Sequence, residues 1–271
     1  MASDYILGTR DAELQRLRFQ HELWRPQAEA AWSRAGLRRG MRVLDLGAGP
    51  GFAACELAQR VGSSGRVLAL ERSPRYVEAG RDEAERLKLP QLELREHNLL
   101  NDPWPEERFD LAWCRWLAMF LSDLEPLLEG LDQCIAPGGQ VLFHEYVHWD
   151  TFGLHPHGSA IERFGAACQR SFRETGGDPD VNRRLPSLLA ARGWRIEALQ
   201  PLPVLGAQGS MAAQWMERFV RVYGEQLQQL GIWSEADHGE ALQEIAQAAH
   251  DPGSFWVGPT VMELRATRLQ P

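Results

Sequence analysis

Val43-Leu44-Asp45-Leu46-Gly47-Ala48-Gly49-Pro50-Gly51 leaves a short apolar run, Met41–Leu46, and enters a turn dense in glycine. The residues that follow, Phe52–Val61, place Ala53, Leu57 and Val61 on one helical face. A strand, a glycine turn and a helix in that order form a nucleotide-binding turn. Glycine lets the backbone turn sharply and approach a ligand closely, and the helix start presents free N–H groups. Two ligand classes use such a turn. A dinucleotide fingerprint spaces its glycines Gly-x-Gly-x-x-Gly and sets a pyrophosphate on the helix N-terminus. Here the glycines fall at 47, 49 and 51, position 52 is Phe52, and Pro50 removes one N–H that an anion would use. The spacing fits a ligand without a pyrophosphate.

Strands and helices alternate outward from this turn. Arg66–Leu70 reads as a second strand ending at Glu71, Gln91–Glu96 as a third, Phe109–Cys114 as a fourth and Gln140–Glu145 as a fifth. Ser73–Leu87 and Leu124–Ile135 read as the helices between, and Pro137-Gly138-Gly139 as a turn. Such alternation implies a parallel sheet with helices on both faces. Before the turn, Asp11 is a candidate cap for a helix carrying Leu14, Leu17 and Trp24. Pro26 is expected to bend or divide that helix before Ala28, Ala31, Trp32 and Ala35. Beyond Tyr146 the rhythm loosens. His148–Ser159 reads as a loop, Ile161–Phe172 and Val181–Arg192 as helices, and Trp194–Leu199 as a strand. Met211–Leu230 and Ala236–His250 read as helices, and Val261–Thr267 as a last strand. About sixty residues separate the two late strands, more than paired strands usually need, so the helices between them read as an insertion.

The motif Asp45-x-Gly47-x-Gly49-x-Gly51 resembles the first motif of the class I S-adenosylmethionine (SAM) dependent methyltransferases, of the small-molecule type. The resemblance is carried further by Glu71 at the end of the second strand, His97-Asn98-Leu99 after the third, Phe109–Trp116 and the Pro137-Gly138-Gly139 turn. It is firm over residues 40–146. It implies an α/β fold: a seven-stranded, mostly parallel Rossmann-like sheet with an antiparallel last strand, N-terminal helices, and a helical cap inserted before that strand. It implies one domain over 1–271, with a lid (1–39), a core (40–205 and 253–271) and a substrate cover (206–252). SAM is the implied cofactor. Gly47, Ala48, Gly49 and Gly51 would form its turn, with Asp45 beneath. Glu71, flanked by Arg72, would hold the ribose hydroxyls, and Asn98 and Leu99 the adenine. Cys114 and Arg115 would lie near the methionine carboxylate, and Tyr5 and Gln20 would close over the methionine.

Methyl transfer from a sulfonium is an in-line displacement, so alignment and exclusion of water matter more than a catalytic triad. Glu145 and His148 follow the fifth strand on the ligand side of such sheets and are the candidate bases. The run His144-Glu145-Tyr146-Val147-His148 has the letters of a zinc-protease motif, which works on a helix. On a strand, residues four apart lie roughly 13 Å apart, so no metal is expected there, nor at His155 and His157. The chain has ten tryptophans. Trp113, Trp116, Trp149, Trp215, Trp233 and Trp256 fall near strand ends or in the expected cover, which suits a flat or apolar small-molecule acceptor. The formal net charge of −8 argues against a nucleic-acid partner. Cys55, Cys114, Cys134 and Cys168 form no Cys-x-x-Cys pair and read as buried thiols of a reducing compartment. With no signal-like start and no long apolar run, a cytoplasmic enzyme, monomer or homodimer, with no membrane partner, is the expectation. The competing readings are a methyltransferase of RNA or protein, and a SAM-binding regulator without turnover.

Overall fold

A computed structural model describes residues 11–156 and 158–269. Tyr5, the Asp11 side chain and His157 lie outside what it describes. Helix α1 (Asp11–Arg34) buries Trp24, Ala28, Ala31 and Trp32 at helical spacing. Pro26, expected to bend or divide it, sits inside one continuous helix. Pro26 leaves the Glu22 carbonyl without its helical N–H donor, and both residues are on the exposed face of the helix.

Then follow β1 (Arg42–Leu46), α2 (Phe52–Val61), β2 (Arg66–Glu71), α3 (Pro74–Arg86), β3 (Leu92–Glu96), β4 (Phe109–Arg115), α4 (Glu125–Cys134) and β5 (Ile135–His148). The second half comprises β6 (Gly153–His155), α5 (Ser159–Glu174), α6 (Leu185–Ala191), β7 (Trp194–Leu202), β8 (Leu205–Ala207), α7 (Met211–Gln229), α8 (Glu235–Ala248), β9 (Phe255–Val257) and β10 (Thr260–Arg268). Among the described residues, seven strands form one sheet in the order β3-β2-β1-β4-β5-β10-β7. The pairs β1–β2, β2–β3, β1–β4 and β4–β5 are parallel, and β10 runs antiparallel to both its neighbours. The strands are apolar on both faces because both faces are covered. Val43, Val67, Leu111 and Leu142 pack with α1 and α2 on one side. Leu44, Leu68, Ala112 and Phe143 join α4 on the other.

The strand order reverses between β1 and β4, and ligands of open α/β sheets bind beyond the carboxyl ends at such a point. A helical layer lies over that edge. It is wider than the expected insertion at 206–252, because α5 is part of it. Glu244 of α8 accepts hydrogen bonds from the Ala160 and Ile161 N–H groups at the start of α5, at 2.9 and 3.1 Å, and so caps a helix that has glycine at its own N-cap. Ser171 of α5 and Tyr223 of α7 pair through their hydroxyls at 2.7 Å. The Trp215 indole of α7 donates to Gln20 of α1 at 2.9 Å. A small sheet, β6-β9-β8, joins the segments. Part of it falls in the stretch expected to be loop, because three-residue strands are too short to show a period.

Candidate active site

The glycine turn is pinned across the sheet. The Gly47 and Ala48 N–H groups donate to the Leu70 carbonyl at 2.8 and 3.0 Å. Gly47 has φ +66°, and a Cβ there would lie 2.8 Å from the Leu117 side chain. Gly49 has φ +54° and open space where a Cβ would be, the arrangement expected where a ligand approaches the backbone. Gly51 does not line the cavity. It packs instead against Leu94 and Gly80, holding α2 to α3. One Glu71 carboxylate oxygen accepts from the Gly49 N–H at 2.9 Å and the other from Ser73 at 2.8 Å. Burial pushes its pKa up, and these two bonds only partly offset that. Each oxygen keeps a lone pair for a further donor.

Behind the turn sit two opposite charges, the buried Asp45 and the half-buried Arg115. Asp45 is 2% exposed, and burial pushes its carboxyl up to about 7 against the pull of Arg115. Burial lowers Arg115 to about 10, with Asp45 acting the other way. One oxygen of Asp45 and one guanidinium nitrogen of Arg115 are buried without a hydrogen-bond partner. Unpaired buried charges are costly, and a ligand bearing both an ammonium and a carboxylate supplies a partner for each. The other terminal nitrogen of Arg115 reaches His21 Nδ1 of α1 at 2.9 Å. Trp116, next along the chain, has φ +51°, a conformation bulky residues rarely adopt. Its N–H donates to the His144 carbonyl at 3.1 Å, and Trp24 meets its ring edge-on at 5.2 Å.

Beyond β3, His97, Asn98, Leu99 and Leu100 line the same cavity, with Tyr76 of α3 nearby. The Asn98 side-chain oxygen accepts from the Leu100 N–H at 3.1 Å, shaping this turn. Burial lowers the pKa of His97. Arg72 is exposed at the rim. Gln20 also lines the cavity, its side-chain oxygen shared between Arg16 and Trp215.

Besides Gly51, three expected site residues are placed elsewhere. Cys114 is fully buried off the cavity, its thiol 3.7 Å from Glu145. Glu145 does not line the cavity either. Its carboxylate accepts from the Leu117 and Ala118 N–H groups at 2.7 and 2.9 Å, so it braces the loop under the cavity rather than facing a substrate. Burial pushes its pKa up to about 7, with those bonds opposing. His148 is exposed at the end of β5, outside the lining. Both candidate bases are therefore corrected. The strand that carries them turns Tyr146, not Glu145 or His148, to the cavity. The His144–His148 run lies on β5, and among the described residues no group of three or more His, Cys, Asp or Glu is placed to hold a metal ion.

Away from the charged end the cavity becomes aromatic. Tyr146 stacks on Trp116 at 5.9 Å and meets Trp149 at 5.6 Å. Trp149 in turn contacts Phe152, Phe172 and Phe219. Trp113 and Trp215 also line the space, whereas Trp233 and Trp256 do not. The empty volume, with the solvent at its open mouth included, is about 1610 Å³. His21, Phe152, Phe172 and Phe219 belong to no local motif and reach the site from distant segments.

The sheet order, the glycine turn at its reversal point and the acidic end of β2 define a class, the Rossmann-like class I methyltransferases, whose cofactor is SAM. A family model described as a methyltransferase domain matches residues 37–175, just over half the chain, and the protein belongs to that family. Over 127 residues it is 28% identical to the ubiquinone/menaquinone biosynthesis C-methyltransferase UbiE of Pseudoalteromonas translucida, covering 46% of this chain and 49% of that one. Over 121 residues it is 32% identical to the 2-phytyl-1,4-naphtoquinone methyltransferase of Synechococcus elongatus, covering 44% and 51%. The chain thus spans about half the length of these curated relatives. Among solved structures, the YcgJ protein of Bacillus subtilis matches with a TM-score of 0.56 at 15% identity, over 88% of this chain and 96% of that one. Geranyl diphosphate C-methyltransferase of Streptomyces coelicolor matches with a TM-score of 0.55 at 16% identity, over 92% and 77%. At these identities the structural matches show the shared fold. No described helix is long and apolar enough to cross a membrane.

Proposed function

We propose that the protein transfers the methyl group of SAM to a small, flat or apolar organic acceptor by in-line displacement. The observation that carries this reading is the cavity's two-sided character. Its charged end carries Asp45, Glu71 and Arg115, and its other end is walled by aromatic rings. Asp45 and Arg115 each hold a buried polar atom without a partner, matching the ammonium and carboxylate of the methionine portion. Glu71 would accept the ribose hydroxyls, and His97, Asn98 and Leu99 would flank the adenine. Bound SAM supplies a methyl group already activated by its sulfonium charge. The protein's part is to align the acceptor, exclude water and surround the sulfonium with ring faces, Trp116 and Tyr146 among them.

The aromatic end presents Arg16 and the Tyr146 hydroxyl as its ionisable groups, and burial keeps that phenol protonated. We assign no base role to Glu145 or His148. The acceptor is accordingly read as one that reacts without a protein carboxylate or imidazole to deprotonate it. The helical layer, α5 included, is read as the substrate cover. The curated relatives are named for ubiquinone/menaquinone biosynthesis and for 2-phytyl-1,4-naphtoquinone, which supports a flat or apolar acceptor. Transfer of labelled methyl from SAM, screened over quinols, phenols, prenyl compounds, RNA and peptides, tests the reading. It is expected to label a small apolar compound. Labelling confined to RNA or peptides, or SAM binding with no transfer at all, would contradict it.

A further inference from the structure

Arg115 is held from one side by a residue of a different element. An arginine side chain donates hydrogen bonds and accepts none. The 2.9 Å contact from its guanidinium to His21 Nδ1 therefore requires an unprotonated Nδ1. The imidazole proton then sits on Nε2, 3.1 Å from the Glu56 carboxylate of α2, to which it donates. The two bonds select one tautomer and fix the ring plane, much as an outer partner orients a metal-ligating histidine. Glu56 and the Phe52 ring, 5.7 Å away, face His21 from α2, Arg115 faces it from β4, and Arg25 from its own helix. Burial lowers the pKa of His21, and Arg115 adds to this, while Glu56 opposes it; the balance favours the neutral ring.

We infer that His21 is a positioning residue for methyl-donor binding, its Nδ1 holding the Arg115 guanidinium so that the unpartnered nitrogen is presented to the donor's carboxylate. The inference rests on the donor site proposed above and goes beyond it. It ties α1 to that site, so the helix over the cavity is seated in part by the guanidinium that receives the ligand. Protonation of His21 would turn its acceptor into a donor facing a cation and release Arg115.

The test separates positioning from mere packing by choice of ligand. Calorimetry at pH 8 would compare S-adenosylhomocysteine with 5′-methylthioadenosine, the same nucleoside lacking the amino-acid end. His21→Leu is expected to weaken S-adenosylhomocysteine by roughly tenfold or more, the loss of one charge-assisted bond, and to leave methylthioadenosine unchanged. His21→Gln, whose amide can accept from Arg115 and donate to Glu56, is expected to restore most of that affinity. Unchanged S-adenosylhomocysteine affinity in His21→Leu, or equal weakening of both ligands, would overturn the inference alone. Failure of the wild-type protein to bind S-adenosylhomocysteine would overturn the donor site with it.

Discussion

The polar end of the cavity draws most of its walls from one stretch, residues 45–116. The aromatic end gathers Gln20 from α1, Tyr146, Trp149 and Phe152 around the end of β5, Phe172 from α5, and Trp215 and Phe219 from α7. The first is a set of strand ends whose relative positions the sheet register sets. The second is a joint between helices distant in sequence, held by contacts such as Trp215 to Gln20 and Glu244 to the start of α5. A site built the first way keeps one ligand, and a site built the second way can change its ligand by exchanging side chains on the cover.

Substitutions that hit one end and spare the other would sharpen or break this contrast. The largest effect is expected at Gly47. Alanine there would be strained at φ +66°, with its Cβ 2.8 Å from a Leu117 that Glu145 holds by the backbone. Together these cost roughly 2–5 kcal/mol. Gly47→Ala should lose S-adenosylhomocysteine binding and melt earlier. Gly49→Ala, strained at φ +54° but unobstructed, should melt earlier by the strain alone, roughly 1–2 kcal/mol, less than Gly47→Ala, and still bind more weakly, because its methyl group enters ligand space. Equal melting losses in the two variants would remove the distinction between a packed and a ligand-facing glycine.

An intermediate effect is expected at the aromatic end. Trp149→Leu should raise the acceptor KM by roughly tenfold while donor affinity stays within about twofold, as for sites that share no partner. If donor affinity fell as far, the two ends would be one unit.

The smallest effect concerns pH. The Asp45 carboxyl is raised from 3.8 to about 7 by burial, so the folded, ligand-free protein binds its proton more tightly than the unfolded chain does. Its contribution to stability is present below about pH 4 and is lost as pH rises through 7. The part of the melting temperature that Asp45 contributes, read as wild type minus Asp45→Asn, should therefore fall over that interval. That difference is expected to change by a few °C, with Glu145 contributing a slope of the same sign to both proteins. An unaltered slope in Asp45→Asn would show that this carboxylate is not buried unpaired.

How much was legible in the sequence follows from the same contrast. The turn at Gly47–Gly49, Glu71 and Asn98 could be read because each sits at a fixed offset from a strand end. The sheet itself, including its antiparallel last strand, was legible from alternating apolar runs and the family resemblance. Glu145 and His148 were misjudged because a position after a strand says nothing about which way its side chain turns. Glu145 turned inward to satisfy two loop N–H groups, and His148 outward to solvent. His21 and Phe219 carry no local pattern at all. Their neighbours in space are set by how α1 and α7 pack, which no short window of sequence contains.

The most direct test of the central claim, that the glycine turn and the charges behind it form a SAM site, is a calorimetric titration of the wild-type protein with S-adenosylhomocysteine and, separately, with NAD. The account predicts saturable binding of S-adenosylhomocysteine and none of NAD. Binding of NAD without S-adenosylhomocysteine would contradict it.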